Sequence, residues 1–409
     1  MPSALETVLV PGGPIARLMG DDFEVRPQQA RMIEAVERAM ASRDSLLVEA
    51  GTGVGKSFAY LVPAIKRIIE HNEVVVVATN TIALQEQLLS KDIPLLREAF
   101  KREDGKEPFK AELVKGRGNY LSLRRLKMAS ERQDKLFPDE ATLRSLHVIE
   151  EWAYATTDGT LSTLPQLERP GVWDRAQSDA GNCMGRKCPT YEKCFYQQAR
   201  RRMEKANLLI CNHAMFFSDL ALRAQETGFL PKYQHVILDE AHNVEDVASE
   251  HFGVALSEGR VRFLLTTLVH PGRRKGFLGS LLVESGEQPL LERAMRTTME
   301  ASRAAEEFFD QLVELTGRRP GMVRIAGPGT IANQISPAFK ELALSLKRLK
   351  DVALYEEDKF ELSAYSMRAA AIAEQAELLC AQGVPGCVYW VETTKHETHG
   401  LRANFVSSA

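Results

Sequence analysis

Apolar residues at the start of the chain switch between two periods. Ile33, Val36 and Met40 recur at helical spacing and predict a helix over residues 31–41. Residues 45–49 (SLLVE) form a short apolar run that reads as a strand, ends in a glycine-rich turn, and leads into a helix over 56–70. The run VVVVA at 74–78 is β-branched and unbroken, as expected of a strand buried on both faces of a parallel sheet. A helix over 81–90 follows. Strand and helix alternating at these lengths predict an α/β domain.

From about residue 111 to 205 the pattern changes: the segment is basic and lacks regular strands. Strand signals return at 207–211 (NLLIC) and 235–238 (HVIL). Beyond residue 242 the periodicity becomes long-helical, over 291–315 and 336–381, on either side of a Gly/Pro-rich stretch at 317–329. A last strand is predicted at 387–392 (CVYWVE).

Composition adds little to this picture. The chain has 409 residues, enough for two or three domains, and a net charge of -3. Any surface for a polyanion must therefore be local. No run of 18 apolar residues predicts a membrane span, and residues 1–20 lack the pattern of a signal peptide. A cytoplasmic location is expected. Three of the six cysteines, Cys183, Cys188 and Cys194, fall in one short stretch, which in a reducing compartment points to metal before disulfide.

Two motifs carry chemistry. Residues 49–57 (EAGTGVGKS) lie between a predicted strand and a predicted helix, the setting of a phosphate-binding loop. Gly51, Thr52, Gly53 and Gly55 would turn backbone N–H groups toward phosphate, with the helix dipole assisting. Lys56 would reach the β- and γ-phosphates of ATP, and Ser57 would ligate Mg²⁺. The first position of the usual pattern is Ala50, a variant common among helicases. The second motif is Asp-Glu-Ala-His at the end of the 235–238 run. There Asp239 would hold Mg²⁺, Glu240 would position or deprotonate the attacking water, and His242 would sense the nucleotide. Parallel sheets gather the carboxyl ends of their strands, so both motifs are expected in one site.

With these residues in view, the chain resembles the superfamily 2 helicases of the XPD/DinG type over essentially its whole length. Residues 26–29 (RPQQ) resemble the adenine-recognition motif, with Arg26 and Gln29 in the ATP site and Gln29 reading the base. Residues 78–87 (ATNTIALQEQ) resemble motif Ia, which places Thr79 and Thr81 on single-stranded DNA. Residues 115–120 (KGRGNY), with Arg117 and Tyr120, resemble the lead-in to the iron–sulfur domain. Residues 211–214 (CNHA), with Asn212 and His213, resemble the return from it.

The resemblance implies an ATP-dependent 5′-to-3′ DNA helicase acting on single-stranded or forked DNA. It also implies a domain plan: a P-loop (RecA-like) parallel-sheet motor domain over 1–110 and 206–242, an iron–sulfur-type insert over 111–205, a helical arch over 243–385, and a return to the motor domain over 386–409. The spacing Cys183-x₄-Cys188-x₅-Cys194 matches the family's last three cluster ligands. The position of the first ligand holds Ser122 instead. Four readings follow: Ser122 as an alkoxide ligand to a fourth iron, a three-iron cluster, zinc on three thiolates and one other ligand, or no metal.

Two basic runs lie in the same insert. Lys115, Arg117, Arg124, Arg125 and Lys127 form one; Arg186, Lys187, Lys193, Arg200, Arg201, Arg202 and Lys205 form the other, interleaved with Tyr191, Phe195 and Tyr196. Cations for phosphates and rings for unpaired bases predict a DNA surface with no sequence preference. The family's second motor domain, with its arginine finger, has no counterpart in the sequence. Alone, the chain is expected to bind nucleotide weakly, hydrolyse ATP slowly and leave duplexes closed. The competing expectation is a non-catalytic module that grips single strands or a partner.

Overall fold

The computed structural model describes residues 8–51, 53–101, 105–137, 139–224, 226–270, 276–384, 386–396 and 400–408. They fall into two compact units, one of Met1–Gly116 and Ala199–His251, the other of Arg117–Gln198 and Phe252–Ala409.

The first unit is built on a four-stranded parallel sheet. Its strands are β1 (Val75–Thr79), β2 (Ala111–Leu113), β3 (Leu208–Asn212) and β4 (His235–Leu238), in the order β2-β3-β1-β4. β1 is buried along its whole length, as its β-branched run predicts for a central parallel strand. Around the sheet pack α1 (Pro27–Ser42) and α2 (Lys56–His71). Ile33, Val36 and Met40 bury the inner face of α1, the stripe seen in the sequence. The helix expected over 81–90 begins as α3 (Ile82–Gln87) and passes into a π-helical turn over Leu88–Asp92.

One element differs. Residues 45–49, expected as a strand, form no ladder, and the sheet ends at β4. Leu46, Leu47 and Val48 are all exposed, Leu47 at 91%. Five residues with one β-branched side chain hold an extended run only when a neighbouring strand pairs with them, and here none does.

The second unit combines helices with an antiparallel sheet. α4 (Leu123–Glu131), α5 (Glu140–Ala155) and α6 (Phe195–Met203) belong to the cysteine-bearing stretch. Of α6, residues up to Gln198 lie in this unit. Farther along come α7 (His213–Arg223) of the first unit and, in the second, α8 (Glu258–Leu268), α9 (Gln288–Leu315), α10 (Ile335–Asp351) and α11 (Glu356–Ala381). The periodic stretch over 336–381 is thus two helices joined by a short turn. Strands β5 (Val254–Ser257), β6 (Gly321–Arg324), β7 (Val388–His396) and β8 (Gly400–Ser408) pair antiparallel in the order β5-β8-β7-β6. β7 and β8 belong to this second sheet, where Ala403, Phe405 and Ser407 of β8 point inward. Phe308, Phe339, Leu346, Leu362 and Phe405 anchor the core, and full burial of each Phe contributes about 2–3 kcal/mol. Among the described residues no helix is long and apolar enough to cross a membrane.

Candidate functional site

The glycine-rich turn ends at Gly55, whose φ of 81° puts it in the left-handed region as the N-cap of α2. A Cβ there would lie 2.2 Å from Gln29 Nε2, so both backbone and space require glycine. Gln29 Nε2 donates to the Gly55 carbonyl at 3.0 Å, and Arg26 Nη1 donates to the Gly53 carbonyl at 2.5 Å. The RPQQ residues thus brace the loop. Thr52 lies outside the described residues; a Cβ on Gly51 or Gly53 would meet nothing within 4 Å.

Across the sheet, Asp239 and Glu240 follow β4. The Asp239 N–H donates to the Ala78 carbonyl at 2.9 Å, which extends the β1–β4 ladder by one bond and fixes the acid at the sheet's carboxyl edge. Glu240 has φ 54°, ψ 48°, a left-handed conformation uncommon for a non-glycine residue and found preferentially at functional sites. That turn aims its carboxylate back toward the loop. Lys56 Nζ lies 3.2 Å from Glu240 Oε1, joining motifs 184 residues apart. His242 Nδ1 is 3.4 Å from the other Glu240 oxygen, and its Nε2 meets Asn243 Nδ2 at 2.9 Å. Lys56, Asp239, Glu240 and His242 line one cleft of about 1340 Å³ together with the 43–50 segment and Tyr60.

Tyr60, one turn beyond Lys56, carries no motif signal, yet its hydroxyl donates to Asp239 Oδ2 at 3.0 Å. Burial first, and then the Asp239 charge, pushes the Tyr60 phenol well above its ordinary range, so it stays a donor. Ser57 lies within reach of Tyr60 and of the buried Asp92 carboxyl, which burial pushes upward. Loop lysine, hydroxyl, two acids and a helix N-terminus suit the phosphates and Mg²⁺ of a nucleoside triphosphate.

The residues expected on DNA fall into two groups. Thr79 and Asn212 are register partners at the carboxyl ends of β1 and β3. Asn212 Oδ1 accepts from the Met215 N–H at 2.8 Å and caps α7; Thr81 caps α3 by accepting from Leu84 N–H at 3.3 Å. Thr79 and His213 are buried, and among the described residues the Thr79 hydroxyl and both His213 ring nitrogens have no hydrogen-bond partner. Arg117 and Tyr120 belong to the other unit. Arg117 stacks on Tyr196 with 4.1 Å to the ring centroid, and Tyr120 meets the same ring edge-on at 5.8 Å.

A second pocket, of about 30 Å³, is lined by Ser122, Arg124, Asn182, Cys183, Cys188 and Cys194 among others. Cys183 Sγ accepts from Arg117 Nη2 at 3.3 Å and from the Gly185 N–H at 3.4 Å, while Cys188 Sγ meets Thr190 Oγ1 at 3.4 Å. Burial raises the Cys194 thiol, and both other cysteines act on it in the same direction. Ser122 is committed elsewhere: its hydroxyl accepts from the Arg125 N–H at 3.4 Å as the N-cap of α4. Among the described residues no group of three or more His, Cys, Asp or Glu side chains stands ready to hold a metal ion. By residue type the pocket offers three cysteine sulfurs, not yet gathered as a ligand set, with N–H groups on the Cys183 sulfur. No fourth cysteine lines it. Arg117 Nε and Arg124 Nη1 are buried with no hydrogen-bond partner among the described residues.

Two residues of the first basic run do not reach the surface. Arg124 and Arg125 are buried at 7% and 4% exposure and bind Glu361, so they form no DNA-facing surface. Charge runs in a sequence do not reveal a carboxylate brought in from more than two hundred residues away.

The parallel sheet, braced glycine loop and apposed acids define a phosphate-loop nucleotide-binding domain of the helicase kind. The DEAD/DEAH box helicase family model matches residues 26–107, and the DEAD_2 model matches 179–261. ATP-dependent DNA helicase YoaA of Escherichia coli (strain K12) is 31% identical over 401 residues, 96% of this chain and 58% of the relative. YoaA of Haemophilus influenzae is 34% identical over 239 residues, 58% of this chain and 35% of the relative. ATP-dependent helicase DinG of Mycobacterium tuberculosis is 35% identical over 265 residues, 60% of this chain and 39% of the relative. The chain belongs with the DinG/XPD-type helicases, and it spans 58% or less of the length of each of these relatives.

Proposed function

We propose that the chain is the ATP-binding part of a DNA helicase motor that couples ATP hydrolysis to 5′-to-3′ movement along single-stranded DNA. The observation that carries this reading is the meeting of Lys56 and Glu240 in one cleft. Lys56 and the N-terminus of α2 take the phosphates, Ser57 and Asp239 take Mg²⁺, and Glu240 orients the attacking water once Lys56 turns to the γ-phosphate. Arg26 and Gln29 hold the loop in the shape that receives the phosphates. Thr81 and Asn212, at the carboxyl edge of β1 and β3, take the single strand, and Thr79 and His213, next to Asn212 in register and in sequence, are buried.

A finer proposal concerns the thiol pocket: Cys183, Cys188 and Cys194 hold a metal centre as thiolates, and Ser122 is a helix cap. Together with its three thiolates such a centre would carry net negative charge and tie the three cysteine positions together. The guanidinium N–H groups of Arg117 and Arg124 that lack partners among the described residues support a negatively charged thiolate–metal assembly.

The test of the motor reading is a pair of titrations of this chain, with ATP–Mg²⁺ and with a single-stranded oligonucleotide. Linkage requires each ligand to tighten the other by the same factor if the two sites are coupled. Oligonucleotide binding that falls steeply with salt and sharpens ATP binding is the expected result. Nucleotide binding indifferent to DNA would instead favour a non-catalytic module.

A further inference from the structure

The loop that ends in Cys183 is held against one face of a helix far away in sequence. Asn182 Nδ2 donates to Glu361 Oε2 at 2.9 Å. A Cβ on Gly181 would come within 3.1 Å of the Ala364 Cβ, so the loop backbone rests on α11 at that point. Asp179 pairs with Arg368. Residues 361, 364 and 368 recur at the spacing that shares one side of a helix, so the loop over 179–182 is laid along a single stripe of α11.

The other wall of the thiol pocket is tied to the same carboxylate. Glu361 Oε1 accepts from Arg124 Nη2 at 3.0 Å and lies 3.5 Å from Arg125 Nε. Arg124 Nη2 also donates to the Asn182 carbonyl at 3.1 Å, which closes a ring of contacts between α4, the loop and α11. Glu361 has no exposed surface, and neither has Asp358, one turn earlier. Asp358 takes Arg132, just past the end of α4, in two bonds of 2.7 and 2.9 Å. A buried carboxylate is costly unless every oxygen is satisfied; Arg124 and Asn182, which border the pocket, satisfy Glu361, and Arg132 satisfies Asp358.

We infer that Glu361 is the positioning residue of the thiol pocket, fixing the Ser122 wall with one oxygen and the Cys183 wall with the other. The helical segment beyond residue 356 and the cysteine loop then move as one body. A force on α11 is felt at Cys183. The inference stands whatever occupies the pocket, because it concerns the geometry of the walls.

Two variants test it, Asn182→Ala, which cuts only the loop arm, and Glu361→Gln, which keeps the shape and removes the charge. The readout is the alkylation rate of each cysteine in the folded protein, resolved by peptide mass spectrometry, with Cys380 and Cys387 as references outside the pocket. Cys183 is expected to react about tenfold faster in both variants, the factor for one lost hydrogen bond to a charged group, with Cys380 and Cys387 unchanged. Should Glu361→Gln fail to fold, Asn182→Ala alone decides. Unchanged Cys183 reactivity in a folded variant overturns the inference. So does equal acceleration at all of these cysteines, which would mean general loosening.

Discussion

Lys56 Nζ and Glu240 Oε1 stand 3.2 Å apart, so the cation proposed for phosphate and the carboxylate proposed to orient water pair with each other. Both side chains are about one-third exposed, so the pair is worth no more than about 1 kcal/mol. Triphosphate can displace it readily. Glu240→Gln is therefore expected to bind ATP a few-fold more tightly while hydrolysis drops by roughly 10²–10⁴. Titration and phosphate release on the same preparation check both halves; weaker ATP binding in the variant would contradict the competition.

Gly55→Ala probes the loop. At φ 81° an alanine costs about 1–2 kcal/mol, and its Cβ displaces Gln29 from the Gly55 carbonyl. ATP affinity is expected to fall about tenfold or more with the melting transition close to that of the parent. Unaltered affinity would show that the left-handed turn is not needed for phosphate.

Tyr60→Phe removes the donor to Asp239 Oδ2 and, with it, the hydroxyl that Ser57 reaches. Partners of metal-binding carboxylates typically change metal affinity by about 10–100-fold when lost. The expected outcome is a higher Mg²⁺ requirement for ATP binding, measured as the Mg²⁺ midpoint at fixed ATP. A midpoint equal to the parent's would leave Tyr60 a packing residue.

Cys211 offers a pH-dependent prediction. Burial pushes its thiol from an ordinary value near 9 up to about 12. The folded state therefore keeps a proton that the unfolded chain has begun to lose. The stabilisation is whole below about 9 and disappears as pH rises toward 12. Iodoacetamide at pH 9 should leave Cys211 unmodified until the protein is unfolded. Labelling at native conditions would contradict its burial in β3.

Ser122→Cys supplies a fourth thiol at the cap of α4. The substitution forfeits about 1 kcal/mol of capping, yet iron content and visible absorbance are expected to rise above those of the parent on anaerobic reconstitution. Equal iron in both proteins would mean that position 122 lies outside the ligand sphere.

Much of this site was legible because it is local. Lys56 and Ser57 sit in a loop whose glycines announce its turns, and Asp239–Glu240 close an apolar run whose end must lie at the sheet edge. Helices α1, α2 and α9 begin within a few residues of the first apolar repeat. What the sequence concealed depends on partners. Residues 45–49 look like a strand in composition, but strand formation needs a neighbour's hydrogen bonds. The break between α10 and α11 has neither Gly nor Pro to mark it, only a bridge from Ala353 to Val283. Tyr60 reads as one more apolar position of α2 until Asp239 is beside it. Arg124, Arg125 and Glu361 carry no signal at all, because a buried ion pair between distant helices looks like two solvated charges.

The most direct test of the central claim, that residues 49–57 and 239–242 make one ATP–Mg²⁺ site, is calorimetric titration of ATP into the chain with and without Mg²⁺. It is run on the parent, Lys56→Ala and Asp239→Ala. The account predicts Mg²⁺-dependent binding in the parent, a loss of tenfold or more in Lys56→Ala, and loss of the Mg²⁺ dependence in Asp239→Ala. Equal affinity in all three proteins would contradict it.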